Sequence, residues 1–238
     1  MRLEDFSTQM DNLLNSYAAT ANYGSTNNPG SIELDEFEKS LFLTKAQEEV
    51  VQSLYNGKNP YRESFEETEE MRRLLGNLIK DAELNPVTTS SGAVLGVDSK
   101  SKFFTLPSNL WFITYESVTI SDGKCENMTS LEVYPVKQDE YHRIRKNPFR
   151  GANDRRALRL DLSENNVEIV SKYQVTKYYV RYLRRLRPIV LAELGDSSIE
   201  GYSTPQSCEV HESLHQRILE LAVQMAIQSR GYSTNRDK

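Results

Sequence analysis

Val175-Thr-Lys-Tyr-Tyr-Val-Arg-Tyr-Leu-Arg-Arg-Leu-Arg-Pro-Ile-Val-Leu191 has the period of a β-strand. In an extended segment Tyr179, Arg181 and Leu183 fall on one face and Tyr178, Val180 and Tyr182 on the other. Aromatic and β-branched side chains suit such a surface, and Pro188 stops the strand because it has no amide hydrogen to offer a ladder. Arg181, Arg184, Arg185 and Arg187 gather positive charge in a chain whose net charge is −5. That asymmetry asks for an acidic partner, either nucleic acid or the acidic face of another subunit.

Working outward, the residues on the C-terminal side of this strand end in a helical stripe of Val210, Leu214, Ile218, Leu221, Ala222 and Met225. On the N-terminal side, residues 110–120, 128–134, 157–162 and 167–171 alternate like strands, with Ser121-Asp-Gly-Lys124 and Ser163-Glu-Asn-Asn166 as turns. Residues 137–146 suit a short helix closed by Asn147-Pro148, and residues 87–102 read as a loop or weak strand. The region predicts four to five antiparallel strands.

Two helices are expected before it. Residues 34–55 carry two apolar stripes, one of Leu34, Phe37 and Leu41 and another of Leu43, Ala46, Val50 and Leu54. Two apolar faces need two neighbours, so Phe37, Leu41, Leu43, Val50 and Leu54 become candidate interface residues, alongside Tyr178, Tyr182 and the four arginines. Ser64-Phe-Glu-Glu67 fits a capping box, and the helix it opens would carry Met71, Leu74, Leu75 and Leu78 as far as Asn85-Pro86. The expected fold class is therefore α+β: a helical bundle, in which an N-terminal helical hairpin is closed by the C-terminal helix, with an inserted antiparallel β region. The boundaries are a flexible arm at 1–30, the bundle at 31–86 and 207–231, the β region at 87–206 and a tail at 232–238. The amphipathic fragment Leu3, Phe6, Met10, Leu13, Leu14 and Tyr17 in the arm is too short to be stable alone and should dock elsewhere.

Charge is segregated along the chain. Residues 33–70 hold eleven acidic and four basic side chains, whereas residues 137–187 hold fourteen basic and six acidic. The pair of runs suits subunits that meet face to side, an acidic hairpin against a basic sheet. No apolar run is long enough for a membrane span, and the first residues lack the pattern of a signal peptide, so synthesis in the cytoplasm is expected. Cys125 and Cys208 suggest neither a disulfide framework nor a cysteine metal site.

His211-Glu212-Ser213-Leu214-His215 matches the zinc-peptidase pattern H-E-x-x-H, in which two imidazoles one turn apart hold the metal and the glutamate activates its water. Its surroundings argue against that chemistry. His142 is the one other histidine, and Gln216-Arg217 replaces an apolar shield. No metal, cofactor or catalytic residue is expected. Nucleic-acid binding through the Arg/Tyr strand is the stronger alternative, since arginine neutralises phosphate and tyrosine stacks on bases.

Three blocks of sequence together look like a known group: Leu34-Asp-Glu-Phe-Glu-Lys-Ser-Leu-Phe-Leu-Thr-Lys-Ala-Gln47 with Phe65-Glu-Glu-Thr-Glu-Glu-Met-Arg-Arg-Leu-Leu75; Tyr182-Leu-Arg-Arg-Leu-Arg-Pro-Ile-Val-Leu191; and Glu212-Ser-Leu-His-Gln-Arg-Ile-Leu-Glu-Leu-Ala222. They resemble structural proteins of crAss-like tailed phages, and the order of elements is similar to head-to-tail connector or adaptor proteins of podoviruses. The resemblance implies a non-enzymatic virion protein forming a homo-oligomeric ring, usually of twelve copies, under the portal protein. Such a ring extends the channel for DNA, gives the tail its attachment surface, and contacts the portal, other tail proteins and, non-specifically, the passing DNA.

Overall fold

The computed structural model describes residues 1–21, 33–59, 62–65, 67–87, 97, 101–121, 130–162 and 165–229. The turns expected at 121–124 and 163–166, most of the loop at 87–102, the linker after residue 21 and the tail fall wholly or partly outside them. Two units are present, one of residues 79–185 and one of residues 1–78 with 186–238.

The first unit is a seven-stranded sheet. In chain order its strands are β1 (Ile79–Leu84), β2 (Lys102–Thr105), β3 (Leu110–Ser121), β4 (Ser130–Pro135), β5 (Arg156–Asp161), β6 (Asn166–Val170) and β7 (Gln174–Arg184). Across the sheet the order is β1-β7-β3-β4-β5-β6-β2. All neighbours are antiparallel except β4 and β5. Parallel neighbours need a crossover connection, and residues 136–155 supply it, with the short helix α4 (Tyr141–Arg145). Tyr141 from this crossover packs with Leu158, Leu160 and Val170 on one side of the sheet.

The opposite side closes on itself. Phe104, Val118, Leu131, Ala157, Ile169 and Val180, from six different strands, belong to one buried cluster. Three residues beyond the end of β1, Val87 donates its amide to Phe103 of β2 at 2.8 Å. Chain leaving one edge of the sheet thus bridges to the other edge, which a flat sheet could not allow. The register shifts in the β3–β7 pairing, near Phe112, Tyr115 and Ile120, accompany this curling.

This architecture corrects the expected fold class. The protein is β-rich, with a curled, mixed seven-stranded sheet, rather than a helical bundle closed by a C-terminal helix around four to five antiparallel strands. The helical hairpin fails at its second arm. Thr68, not Ser64, is the N-cap, the helix α3 (Glu69–Leu74) lasts six residues, and a 3-10 turn at Gly76–Leu78 leads straight into β1. The cause is tertiary: β7 needs hydrogen-bond partners on both edges, and residues 79–84 meet that need in full register from Ile79 opposite Leu183 to Leu84 opposite Tyr178.

The second unit holds α1 (Leu3–Ala21), α2 (Glu36–Tyr55), α3 and α5 (His215–Ser229). Asp35 and Glu38 form a reciprocal capping box at the start of α2. The N-terminal segment finds its partner inside the chain, because Phe6, Met10 and Leu14 are fully buried and α1 packs on α5. Lys39, itself buried, ties α1 to α2 through Asp11 at 2.7 Å, Glu36 at 2.9 Å and Ser7 Oγ at 3.1 Å. Burial alone would lower the pKa of this lysine, but the hydrogen bonds to Asp11 and Glu36 hold it above the ordinary value. Among the described residues no helix is long and apolar enough to cross a membrane.

Candidate interaction surface

β7 lies between β1 and β3, so its two faces have different surroundings. Tyr178, Val180 and Tyr182 point into the buried cluster. There Tyr178 Oη donates to Glu116 Oε2 at 2.6 Å, and Arg159 donates to the other oxygen of the same carboxylate. The side chains of Arg159 and Glu116 are only 11% and 9% exposed. Burial raises the carboxyl pKa of Glu116 against the pull of Arg159, and it pushes the Tyr178 hydroxyl far up. This is a charged pair in a sheet interior, held by three side chains from three strands.

The outer face carries the charge that the sequence concentrates. Arg181 is exposed, with Asp81 of β1 opposite it on one side and Tyr115 of β3 on the other. Tyr115 and Tyr179 meet edge to face at 6.3 Å, and Tyr115 is 49% exposed. The hydrogen bond to Tyr179 Oη, at 3.5 Å, helps to hold the Arg181 guanidinium pKa above its ordinary value. An arginine beside two tyrosines on an open sheet face has the composition of an interface anchor.

The other candidates divide cleanly. Arg184 is half-buried and donates to the Arg185 carbonyl at 3.2 Å, while the side chain of Arg185 is exposed. Arg187 has an acidic neighbour in its own chain, Glu209, whose carboxylate accepts from the Arg187 amide at 3.2 Å and lies 3.7 Å from its guanidinium. Leu43, Val50, Leu54, Tyr178 and Tyr182 are buried in the protomer's own cores, whereas Phe37 is 36% exposed and Leu41 half-buried. Arg181, Arg185, Tyr115 and Tyr179 keep exposed or half-buried side chains in the sheet unit, and Phe37 and Leu41 do so on α2.

Sequence reasoning missed a polar ladder on α2. Ser40, Thr44 and Gln47 recur at helical spacing and all are buried. Ser40 Oγ accepts from the Leu191 amide at 2.9 Å, Thr44 Oγ1 from the Ile189 amide at 3.1 Å, and Gln47 Nε2 donates to the Arg187 carbonyl at 2.9 Å. The helix thereby satisfies backbone groups of the extended chain that follows β7, whose Val190 pairs on its own account with Gln206 in an antiparallel bridge. The only sequence signal was that these residues share the helix face of Leu43 and Val50.

The histidine motif is built differently from a metal site. His215 is 5% exposed, its Nε2 donates to the Val210 carbonyl at 3.0 Å, and its Nδ1 accepts from the Met1 amino group at 2.9 Å. Phe6 packs on the same ring at 5.5 Å. His211 instead turns to Ser213, whose hydroxyl lies 2.9 Å from its Nδ1. Among the described residues no three His, Cys, Asp or Glu side chains converge as metal ligands would.

Comparison with known proteins adds an independent line. A family described as phage tail ring protein 3/4 matches residues 1–238. The chain is 42% identical over 234 residues to a protein named ring protein 3 of Bacteroides phage crAss001, covering 97% of this chain and 96% of that one. It is also 30% identical over 236 residues to ring protein 4/5 of the same phage, covering 95% and 92%.

Proposed function

This chain belongs to the phage tail ring protein 3/4 family, which makes it a structural protein of a crAss-like phage virion, and from that premise we propose how it assembles. Identical copies, twelve in number, close a ring in the connector between portal and tail. The ring extends the channel for DNA and offers a surface on which the neighbouring tail protein seats. Each protomer meets the next through surfaces of opposite charge.

One observation carries this reading. The sheet unit, residues 79–185, contains 17 basic and 13 acidic side chains, whereas the remaining residues contain 12 basic and 21 acidic. A head-to-tail contact between unlike surfaces of identical subunits generates a ring when the rotation closes. A chain with one basic and one acidic unit has the charge pattern for that contact, and complementary fields also speed encounter and reject wrong registers. On the basic side the anchors are Arg181 and Arg185, with Tyr115 and Tyr179 beside Arg181.

The test is charge reversal at Arg181 and Arg185, both exposed, to glutamate. Mass photometry at low salt, with and without portal protein, should show the wild-type chain as a closed ring and the variant as a monomer. A wild-type chain that stays monomeric in purified tails refutes the ring. Assembly that survives the reversal while DNA retention in the channel is lost would turn the arginines toward DNA.

A further inference from the structure

The most exposed large apolar side chain among the described residues is neither on β7 nor on α2. Phe149 is 85% exposed, in the turn between α4 and β5. The turn is tightly built. Asn147 Oδ1 accepts from the Phe149 amide at 2.9 Å and from the Arg150 amide at 3.3 Å, the Gly151 amide reaches the Asn147 carbonyl at 2.8 Å, and Arg156 donates to the Phe149 carbonyl at 3.0 Å. Gly151 is required there, because a Cβ would lie 2.9 Å from the Asn147 carbonyl oxygen. An aromatic residue whose turn backbone is fixed by four hydrogen bonds is preorganised for a partner, since little ordering entropy of the loop opposes its burial. Its sequence neighbourhood is basic: residues 142–156 hold six Lys or Arg and one acidic residue.

We infer that Phe149 is a knob that seats in the next copy of this chain, in the cleft lined by Glu69, Glu70, Arg73, Leu74, His211 and Ser213. That cleft has a volume of about 510 Å³, room for an aromatic ring with the stems of two basic side chains. It belongs to the acidic unit, and the eight residues 63–70 leading into it hold five glutamates. At the rim Arg73 is already paired with Glu69 at 2.7 Å, which leaves Glu70 and the glutamates leading in as the acidic side around Leu74, complementary to a basic collar around an apolar tip. The inference rests on the ring reading above and names one contact within it.

The experiment is a cross-link that only neighbouring copies can form. A chain carrying both Phe149→Cys and Leu74→Cys, assembled at low salt and oxidised, should run on a denaturing gel as a ladder up to the full ring, whereas the wild-type chain, with its two native cysteines, should not. Phe149→Asp should lower the yield of rings at least tenfold while leaving the circular dichroism and thermal midpoint of the monomer unchanged, because the side chain touches little in its own protomer. Rings that form without a ladder, and that tolerate Phe149→Asp, would overturn this contact and leave the ring reading standing. Rings of the Phe149→Asp chain that assemble normally but no longer bind adjoining tail proteins would also overturn it, by assigning the knob to a different partner. A wild-type chain that forms no ring in tails overturns the ring and this contact together.

Discussion

Replacing Arg159 by methionine should unfold the sheet unit long before it disturbs the helical one. Arg159 and Glu116 are almost fully withdrawn from water, and without the guanidinium the carboxylate of Glu116 keeps a single described donor, Tyr178 Oη at 2.6 Å. Breaking a buried pair by removing one partner costs about 3–5 kcal/mol, mostly the penalty of a charge left unmatched in low dielectric. Trp111 in β3 is the only tryptophan, so its fluorescence reports on the sheet alone. With a urea dependence of about 1–2 kcal/mol per molar for a unit of this size, a loss of about 3 kcal/mol lowers the Trp111 midpoint by roughly 2 M.

The pH dependence gives the effect a signature. Burial already raises the folded pKa of Glu116, with Arg159 opposing it, so removing Arg159 raises it further. A carboxyl whose folded pKa exceeds its unfolded value contributes stability that is fully present below the unfolded pKa and is lost as pH rises through the folded one. The deficit of Arg159→Met should therefore be largest at pH 8 and shrink toward pH 5. Adding Glu116→Gln removes the charge while keeping an acceptor for Tyr178, and should recover about 2 kcal/mol or more at pH 8. A deficit below about 1 kcal/mol, or one that is flat from pH 5 to 8 and not relieved by Glu116→Gln, would refute the reasoning.

Thr44→Val should cost about 1–3 kcal/mol in urea unfolding, because the buried Ile189 amide loses its acceptor, and Thr44→Ser should restore most of it. His215 is held below the ordinary histidine range chiefly by burial, so the unfolded chain takes up its proton first. Stability contributed by its neutral form is present above about pH 6.5 and is lost as pH falls below that value, and His215→Gln should flatten the slope of the thermal midpoint between pH 7 and 5. Elemental analysis of purified protein should find no stoichiometric zinc, and zinc that disappears in a His211→Ala, His215→Ala chain would restore the peptidase alternative.

β7 was legible because nothing competed with its period. Tyr178, Val180 and Tyr182 do enter the core, and Tyr179 and Arg181 keep exposed or half-buried side chains, whereas Leu183, which the period groups with them, is fully buried. β1 was not legible. Ile79, Ala82 and Leu84 extend a helical series begun by Met71 and Leu78, and Gly76 was the single local hint that the helix ends first. What makes residues 79–84 a strand is the unpaired edge of β7, about a hundred residues later in the chain. A backbone partner at that distance leaves no trace in a local window, since propensity is only a weak prior that tertiary hydrogen bonding overrides. The crossover through α4, which makes β4 and β5 parallel, is hidden for the same reason.

Surface residues raise a different difficulty, because core and interface draw on the same side chains. Tyr178 and Tyr182 carry the amphipathic rings that interfaces favour, yet a tyrosine with a buried carboxylate or amide in reach is equally at home inside. Tyr178 has Glu116, and Tyr182 has Asn109 Oδ1 at 3.2 Å, so both are interior residues with satisfied hydroxyls. Tyr179 and Tyr115 instead meet each other and Arg181, and they keep part of their surface exposed. The two stripes of α2 divide by the same logic. The Leu43, Val50 and Leu54 stripe lies on the side where Ser40, Thr44 and Gln47 reach the extended chain, and that ladder fixes which face turns inward. Phe37 and Leu41 lie away from it and keep part of their surface. Phe149 was readable in principle, since Asn147-Pro-Phe-Arg-Gly151 is a turn by composition and an aromatic residue at a turn's apex has no core to enter. Only the hydrogen bonds from Asn147 and Arg156, which come from both sides of the apex, show that the ring is held outward by construction.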